Sequence, residues 1–334
     1  KRTMFTVVIA LIPALLFGMY NIGYQHYLSL GQVSCYCDNF WGNLGYGFLK
    51  ILPMLLVSYI VGLGIECIFA QIRKHEVSEG YFVTGMLIPL ICPPDVPLWQ
   101  LAIAVAFAVI IGKEVFGGTG YNFLNPALVA RAFLFFSYPS QMSGDNVWIA
   151  EQGDAISGAT PLGEMLAGGI TPHASALEMF LGFIPGSVGE TSVVAILIGA
   201  VILLVTGIAS WRIMLSIFAG GAAMGLVFNM IGANPYMEMP FYYHFLIGGF
   251  MFGAVFMATD PVTAAQTNIG KYIYGALIGI MAVLIRVLNP AYPEGMMLSI
   301  LLLNVFAPLI DYYVVEANIR RRAKRTKLLA KNNQ

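Results

Sequence analysis

The chain has 334 residues, 58% of them hydrophobic and only 10% charged, with a formal net charge of zero. Soluble domains carry roughly 25% charged residues, so a soluble globular fold is excluded and an all-α integral membrane protein is expected. The basic tail at 320–334 is most simply a topology anchor or an anionic-lipid contact, and nucleic-acid binding is disfavoured.

At the amino end no cleavable signal peptide is evident. The first segment lacks both an A-x-A site and an initiator methionine, so Lys1 is read as the start of a trimmed chain. Apolar runs then recur at residues 4–20, 51–70, 81–92, 99–112, 123–136, 192–208, 211–231, 242–257, 271–288 and 296–314, which predicts ten spans. Several are shorter than the roughly 20 residues a helix needs to cross about 30 Å of hydrocarbon, so protein must cover their ends or the helices must tilt. The interrupted run Ile88-Pro89-Leu90-Ile91-Cys92-Pro93-Pro94 predicts a broken helix beside an internal site.

An even number of spans places both termini on one side. If that side is cytoplasmic, the inner segments hold 14 of the 17 basic residues, leaving only Lys50, Arg131 and Arg286 elsewhere. This bias orients the chain with its termini inside. Loop 137–191 then lies in the periplasm, with six acids and no Lys or Arg. The cysteines Cys35, Cys37, Cys67 and Cys92 form no CxxC pair and have no companion histidine spacing, which argues against a metal site built by this chain alone. Cys35 and Cys37 lie in an outer loop, where a bridge between such close neighbours would be strained.

The two halves echo each other. Asn125-Pro126-Ala127 precedes the fifth span and Asn289-Pro290-Ala291 the tenth. A unit of five helices is odd, so the second copy must enter the membrane upside down, an inverted repeat with its binding site between the halves. The expected organisation is a first repeat over 1–136, a periplasmic loop over 137–191, a second repeat over 192–319 and a basic cytoplasmic tail over 320–334. A proline near a helix start accounts for either motif on its own. The glycine-rich segments Gly117-Gly118-Thr119-Gly120 and Pro185-Gly186-Ser187-Val188-Gly189-Glu190 read as loops that shape a site. Neither has the strand–turn–helix context of a phosphate or dinucleotide loop. Pairs such as Gly220-Gly221 read as close-packing positions of membrane helices.

A charge at mid-membrane costs about 2.5–3.5 kcal/mol, so Glu66, Arg131, Asp260, Arg286, Glu294 and Asp311 each need a partner or a task. For the arginines the alternatives are a buried ion pair and contact with an anionic cofactor. For Glu66 and Asp311 they are an ion pathway and a hydrated position at a helix end.

Asp154-Ala155-Ile156-Ser157-Gly158-Ala159-Thr160-Pro161-Leu162 stands in the one long polar loop. Gly158 and Ala159 leave room beside the Thr160 hydroxyl for a large attached group, although the same residues also suit an ordinary turn. The Asp-x-x-Ser-Gly-Ala-Thr stretch resembles the flavin acceptor site of the NqrB/RnfD family, the membrane subunits of sodium-translocating NADH:quinone oxidoreductases and of Rnf complexes. The likeness extends over nearly the whole chain. It is carried by Arg73-Lys74-His75-Glu76-Val77, Glu79-Gly80-Tyr81-Phe82-Val83-Thr84, Lys113-Glu114-Val115-Phe116-Gly117-Gly118-Thr119-Gly120 and Asn122-Phe123-Leu124-Asn125-Pro126-Ala127-Leu128. Met257-Ala258-Thr259-Asp260-Pro261-Val262 and Arg286-Val287-Leu288-Asn289-Pro290-Ala291-Tyr292-Pro293-Glu294-Gly295-Met296-Met297 continue it.

The resemblance implies FMN esterified to Thr160, with Asp154, Ser157, Gly158 and Ala159 in the attachment motif, and a riboflavin held by Thr84, Asn122 and Asn125. A neutral amide and hydroxyl site suits a flavin without phosphate, while Asn125 could equally be a helix cap before Pro126. It further implies a quinone site at Gly62 and Leu63, where the family usually has adjacent glycines and this chain has Leu63, and sodium uptake at Glu66 and Asp311. The expected partners are the other subunits of a multisubunit membrane redox complex, quinone, Na+ and the bilayer of a bacterial inner membrane. Two alternatives stand beside this reading: an RnfD-type subunit of a ferredoxin:NAD oxidoreductase, and a flavin-free inverted-repeat channel or transporter.

Overall fold

The computed structural model describes residues 2–33, 35–36, 38–74, 76, 79–144, 147–151, 158–166, 174–289 and 295–332. Every regular element among the described residues is helical. The principal helices are α1 (Arg2–Ser29), α2 (Phe40–Arg73), α3 (Tyr81–Ile91), α4 (Leu98–Gly112) and α5 (Pro126–Ser137), followed by α6 (Val193–Val205) and α7 (Trp211–Ile231). Next come α8 (Phe250–Phe252, running on as a π-helical turn Gly253–Met257), α9 (Asn268–Leu288) and α10 (Gly295–Asn332). Six stretches are long and apolar enough to cross a bilayer: Thr3–Ser29, Phe40–Arg73, Leu98–Phe116, Trp211–Ile231, Asn268–Leu288 and Gly295–Thr326. The apolar helices α3, α5 and α6 are shorter. The chain is thus a multi-pass membrane protein.

Helix α2 illustrates how the sequence sorts its faces. Asn43, Gly47, Ile51, Met54, Ser58, Gly62, Glu66 and Ala70 recur three or four residues apart and are buried. Leu49, Leu56, Ile60, Ile68 and Ile72 point outward. Lipid is as apolar as leucine, so close contact between membrane helices comes from small residues that let backbones approach. A Cβ on Gly47 would lie 1.8 Å from the Met19 carbonyl oxygen, which binds α2 to α1. Gly220 and Gly279 do the same between α7 and α9, where a Cβ would meet the carbonyls of Ala276 at 2.3 Å and Ile217 at 2.1 Å.

The interrupted run at Pro89 ends α3 at Ile91, inside the protein. Backbone carbonyls freed there have no water to bind and must find donors. The Arg131 guanidinium donates to the Ile91 carbonyl. The backbone N–H groups of Gly189 and Val188 donate to Leu90 at 2.7 Å and Cys92 at 3.3 Å, so the segment before α6 folds inward to close the broken end.

The expected continuous span over 242–257 is divided. A short helix Tyr243–Leu246 is followed by Gly248 and Gly249, both at positive φ, and only then by α8. Arg286 caps the free carbonyls, donating to His244 at 2.8 Å, Ile247 at 3.0 Å and Gly248 at 3.3 Å. Apolarity alone does not reveal the break, because the two glycines that make it are also ordinary in membrane helices. Each half therefore has a broken helix whose end is neutralised by a buried arginine.

The first Asn-Pro-Ala motif opens α5, with the Asn125 side chain accepting from the Ala127 N–H at 3.0 Å. The second falls mostly outside the described residues: Asn289 follows α9 as its C-cap, residues 290–294, including Pro290, Ala291 and Glu294, are not described, and the described part of α10 runs from Gly295.

Candidate functional site

A cleft of about 800 Å³ opens between the two halves. Thr84 from α3, Asn122 and Asn125 from the turn before α5, and Pro126 line one side. Phe256 at the end of α8 and Thr259 and Asp260 just beyond it line the other. Thr84, Asn122 and Asn125, the expected riboflavin residues, thus share one wall although up to 41 positions separate them in the chain.

The amide and hydroxyl groups of Thr84, Thr119, Asn122, Asn125 and Thr259 are joined in the lining by Lys113 and Asp260. The Asn125 side-chain oxygen is engaged in capping α5. Asn122 accepts from Gly120 N–H at 3.2 Å and donates to the Leu124 carbonyl at 3.0 Å, which fixes the turn that presents both asparagines. The Thr119 hydroxyl oxygen is buried without a hydrogen-bond partner among the described residues. With Val83, Leu87, Leu203 and Phe256 as apolar surface, this chemistry fits a phosphate-free flavin.

Glu66 lies next to this cleft and is 3% exposed, so it is not a hydrated helix-end acid. It is ion-paired with Lys113, itself 4% exposed. Lys113 also lines the cleft and sits 5.8 Å above the centre of the Tyr81 ring. One residue on, Glu114 meets Arg73 at 3.6 Å, and the Arg73 side chain donates to the Glu114 carbonyl at 2.6 Å. Two oppositely directed pairs therefore lock the end of α4 to the end of α2. Lys113 counts in the sequence only as an inner-side positive charge. Its adjacency to Glu114, opposite Glu66 and Arg73 on α2, is the signal that could have marked it.

Gly62 is buried against Tyr81, whose hydroxyl donates to the Ser58 carbonyl at 2.8 Å. A Cβ on Gly62 would fall 1.7 Å from that hydroxyl oxygen. Leu63, one residue on, is half-buried. Asp311 lies apart, at the start of α9, where its carboxylate accepts from the Gln266 N–H at 2.6 Å, the Thr267 N–H at 3.0 Å and the Thr267 hydroxyl at 2.5 Å. Its position is that of an anion capping a helix N-terminus.

In loop 137–191, Asp154 and Ser157 lie outside the described residues, while Gly158 is buried and Ala159 and Thr160 are half-buried. Thr160 begins the helix Pro161–Leu166: its hydroxyl oxygen accepts from the Gly163 N–H at 3.1 Å and its carbonyl from the Glu164 N–H at 2.9 Å. Leu162 fastens this helix down, taking a hydrogen bond from the Tyr236 hydroxyl on its carbonyl at 2.6 Å. Upstream, Glu151 meets Lys50 at 2.8 Å and its N–H donates to Asp95 at 2.8 Å. The Lys50 ammonium, and the Tyr46 hydroxyl with it, hold the Glu151 carboxyl below its ordinary range. Thr160 is thereby carried between two anchored points.

Downstream, Glu190 reaches into the interior and pairs with Arg131 at 3.0 Å, with side chains 5% and 2% exposed. Its carboxylate would be 2.8 Å from a Cβ on Gly249, at the break before α8. The end of the outer loop therefore contacts both halves. Among the described cysteines, Cys35 and Cys67 are exposed thiols and Cys92 is buried; Cys37 lies outside the described residues.

Residues 1–320 match the family model described as the NQR2, RnfD, RnfE family. A relative from Ectopseudomonas mendocina, named as the B subunit of Na(+)-translocating NADH-quinone reductase, is 52% identical, the alignment covering 97% of this chain and 86% of the relative. The protein of the same name from Chromohalobacter salexigens is 51% identical over 97% of this chain and 84% of its own length. That from Azotobacter vinelandii is 50% identical over 97% and 86%. With a family match over almost its full length and relatives at this identity, the chain belongs to the NQR2, RnfD, RnfE family.

Proposed function

We propose that this chain is the B-type membrane subunit of a sodium-translocating NADH:quinone oxidoreductase. It passes electrons from FMN esterified to Thr160, through riboflavin in the cleft, to quinone towards the inner side, coupled to sodium export. The observation that carries this reading is the convergence of Thr84, Asn122 and Asn125 on one cleft between the halves. The relatives, whose names give the B subunit of the NADH-quinone reductase, favour it over an RnfD-type subunit of a ferredoxin:NAD oxidoreductase. The membrane plan proposed with it has α1–α5 and α6–α10 as inverted five-helix repeats over 1–136 and 192–319, with the short and broken helices completing ten spans. Both termini and the tail 320–334 are cytoplasmic, loop 137–191 is periplasmic, and the membrane is the bacterial inner membrane.

Flavins, when bound, supply the redox chemistry. The chain supplies position and polarity. Asp154, Ser157, Gly158 and Ala159 present the Thr160 hydroxyl to the attaching enzyme, and Leu162 with Tyr236 holds the loaded loop against the second half. Asn122, Asn125 and Thr84 orient a planar neutral ligand by hydrogen bonds. Gly62 and Leu63 border the quinone site, and Glu66 and Asp311 serve the path of the ion.

The reading is tested by running the purified protein on a denaturing gel under ultraviolet light and by extracting noncovalent flavin from the intact complex. A fluorescent band that disappears in Thr160→Ala, with riboflavin lost from Thr84→Val/Asn122→Ala, supports it. A dark wild-type band from cells that contain the flavin transferase overturns it in favour of a flavin-free channel or transporter. Ferredoxin-driven reduction of NAD by the copurified complex overturns it in favour of the Rnf type.

A further inference from the structure

Helices α7 and α9 both start at one end of the second half, and α9 packs against α7 and α10. The Asp311 carboxylate of α10 caps the first turn of α9, so α10 passes the same level there. Around this end Trp211, Tyr272, Tyr312 and Tyr313 are exposed at 53%, 38%, 62% and 62%. Rings of this kind settle between hydrocarbon and headgroups, so they mark the level at which α10 leaves the bilayer. The Arg212 guanidinium lies 5.7 Å from the centre of the Trp211 ring and donates to the Asn268 side chain, which fixes a cation at that level. Helix α10 does not stop at the boundary. It runs on to Asn332, with Arg321, Arg322, Lys324 and Arg325 all exposed.

Residues 295–334 hold seven Lys and Arg against two acids. Both acids are spent, Asp311 on the start of α9 and Glu316 on Arg320. A helix advances about 1.5 Å per residue, which places Arg321 to Arg325 roughly 12–18 Å along the axis beyond Tyr313. The polar layer of a bilayer is about 5–8 Å deep on each side, and the field of its charged headgroups extends about 8 Å further at physiological salt. Long basic side chains bend back along the surface to cover the remainder. Positions 327 and 331, about 21 and 27 Å out, pass beyond that range. Tyr313, Arg320 and Lys324 share one helix face, turned away from the face on which Asp311 meets α9. The structure assigns to this end a binding surface for anionic phospholipid headgroups, in which Arg321, Arg322, Lys324 and Arg325 recognise phosphate and the Trp and Tyr rings form the interfacial floor. A cluster of four or more Lys and Arg directly after a membrane span suits such a surface. A topology anchor, by contrast, acts during insertion and distinguishes no lipid afterwards. The inference is independent of the electron-transfer reading.

The test places the intact complex in nanodiscs of phosphatidylcholine, alone or mixed with phosphatidylglycerol, and follows backbone hydrogen exchange over residues 314–326. Each basic residue held at an anionic surface favours the bound helix about fivefold, so exchange in the wild type slows by roughly tenfold or more in the mixed discs. High salt removes the difference, and inorganic phosphate added to phosphatidylcholine discs does not reproduce it. Arg321→Gln/Arg322→Gln/Lys324→Gln removes most of the slowing, Arg321→Lys/Arg322→Lys keeps it, and Lys331→Gln leaves it unchanged. Glu316→Gln enlarges it, because Arg320 is then released to the lipid. Equal exchange in the two kinds of disc overturns the proposal and leaves a topology anchor only. Free phosphate that slows exchange as much as the mixed discs overturns it in favour of a soluble anion. Slow exchange already in phosphatidylcholine discs, relieved when salt strips an acidic protein from the complex, overturns it in favour of a protein partner. If the triple variant fails to insert, Glu316→Gln decides: an unchanged slowing overturns it.

Discussion

Replacing Gly62 by alanine tests whether this position is a glycine because of Tyr81. The added methyl carbon would lie 1.7 Å from the Tyr81 hydroxyl oxygen and 1.9 Å from the ring carbon bearing it, whereas ordinary contact begins near 3.4 Å. Tyr81 is 0% exposed, so the ring has no open side to move into. Overpacking of this kind costs about 1–3 kcal/mol, and displacing the hydroxyl from the Ser58 carbonyl costs about 1 more. Alanine returns roughly 0.5–1 kcal/mol through its better helix propensity. The net loss is roughly 1–3 kcal/mol. Gly64, two residues on in the same helix, is the internal control, because a Cβ there meets nothing within 4 Å. Gly64→Ala leaves stability unchanged or slightly raised. The assay is thermal unfolding in detergent at one scan rate, since such unfolding is commonly irreversible. Gly62→Ala lowers the midpoint by several degrees relative to Gly64→Ala. Adding Tyr81→Phe does not rescue it, because the ring carbon still collides, whereas Gly62→Ala/Tyr81→Ala loses less than the sum of its single changes. Equal stability of Gly62→Ala and Gly64→Ala would refute the reasoning.

Thr160→Ala loses the N-cap of Pro161–Leu166, at a cost of about 1 kcal/mol, as well as the hydroxyl proposed to carry FMN, whereas Thr160→Asn keeps a cap without a hydroxyl. Hydrogen exchange at Gly163 is expected to accelerate in the first and not the second, while both give a dark band on the gel. The Tyr36 hydroxyl donates to Glu178 at 2.6 Å, which pushes Tyr36 up to about 12 and, with Ser175, holds the Glu178 carboxyl below its ordinary 4.5. The depressed carboxyl makes this tie complete above pH 4.5 and weakening as pH falls below it; the raised phenol makes it complete below pH 10 and lost as pH rises through about 12. Proteolysis of the 30–39 segment should therefore accelerate at both extremes, and Glu178→Gln should remove the acid limb; a wild-type rate flat down to about pH 3 counts against the tie. Arg131→Met or Glu190→Gln alone leaves a buried charge uncompensated and destabilises by about 3–5 kcal/mol, while Arg131→Met/Glu190→Gln loses clearly less than the sum of the two. Additive losses in denaturant or heat would show that the two side chains do not act as a pair.

Membrane class, the short helix at Pro89 and the cap at Asn125 are legible in the sequence, because apolar run length, proline spacing and Asn-Pro act locally. The convergence of Thr84, Asn122 and Asn125 is legible only through the family likeness, since nothing local ties position 84 to 122. Lys113 reads as a topology charge because composition cannot tell a lysine in an inner loop from one turned back to a buried acid. Glu66 shows the same limit: helix position suggests water, and only the neighbouring α4 end supplies the counter-ion. The break at Gly248 and Gly249 is hidden because both glycines also suit close packing, and the deciding fact is a tertiary one, the Arg286 side chain beside them.

The two buried arginines are better explained by backbone than by ligand. Arg131 and Arg286 both spend donors on carbonyls at the ends of broken helices, a place where unpaired acceptors cost most and where a cation also opposes the negative end of the helix dipole. Arg131 then needs an anion because its remaining charge is still buried, and Glu190 comes from the loop that follows the Thr160 motif. Breaking helices inside a membrane thus makes carbonyls available, the carbonyls require arginines, and Arg131 draws in an acid from outside. The connection between the loop that bears Thr160 and the interface of the halves follows from that sequence of requirements. It needs no separate device, and it implies that a change at Glu190 should disturb the seating of the Thr160 loop before it disturbs the cleft.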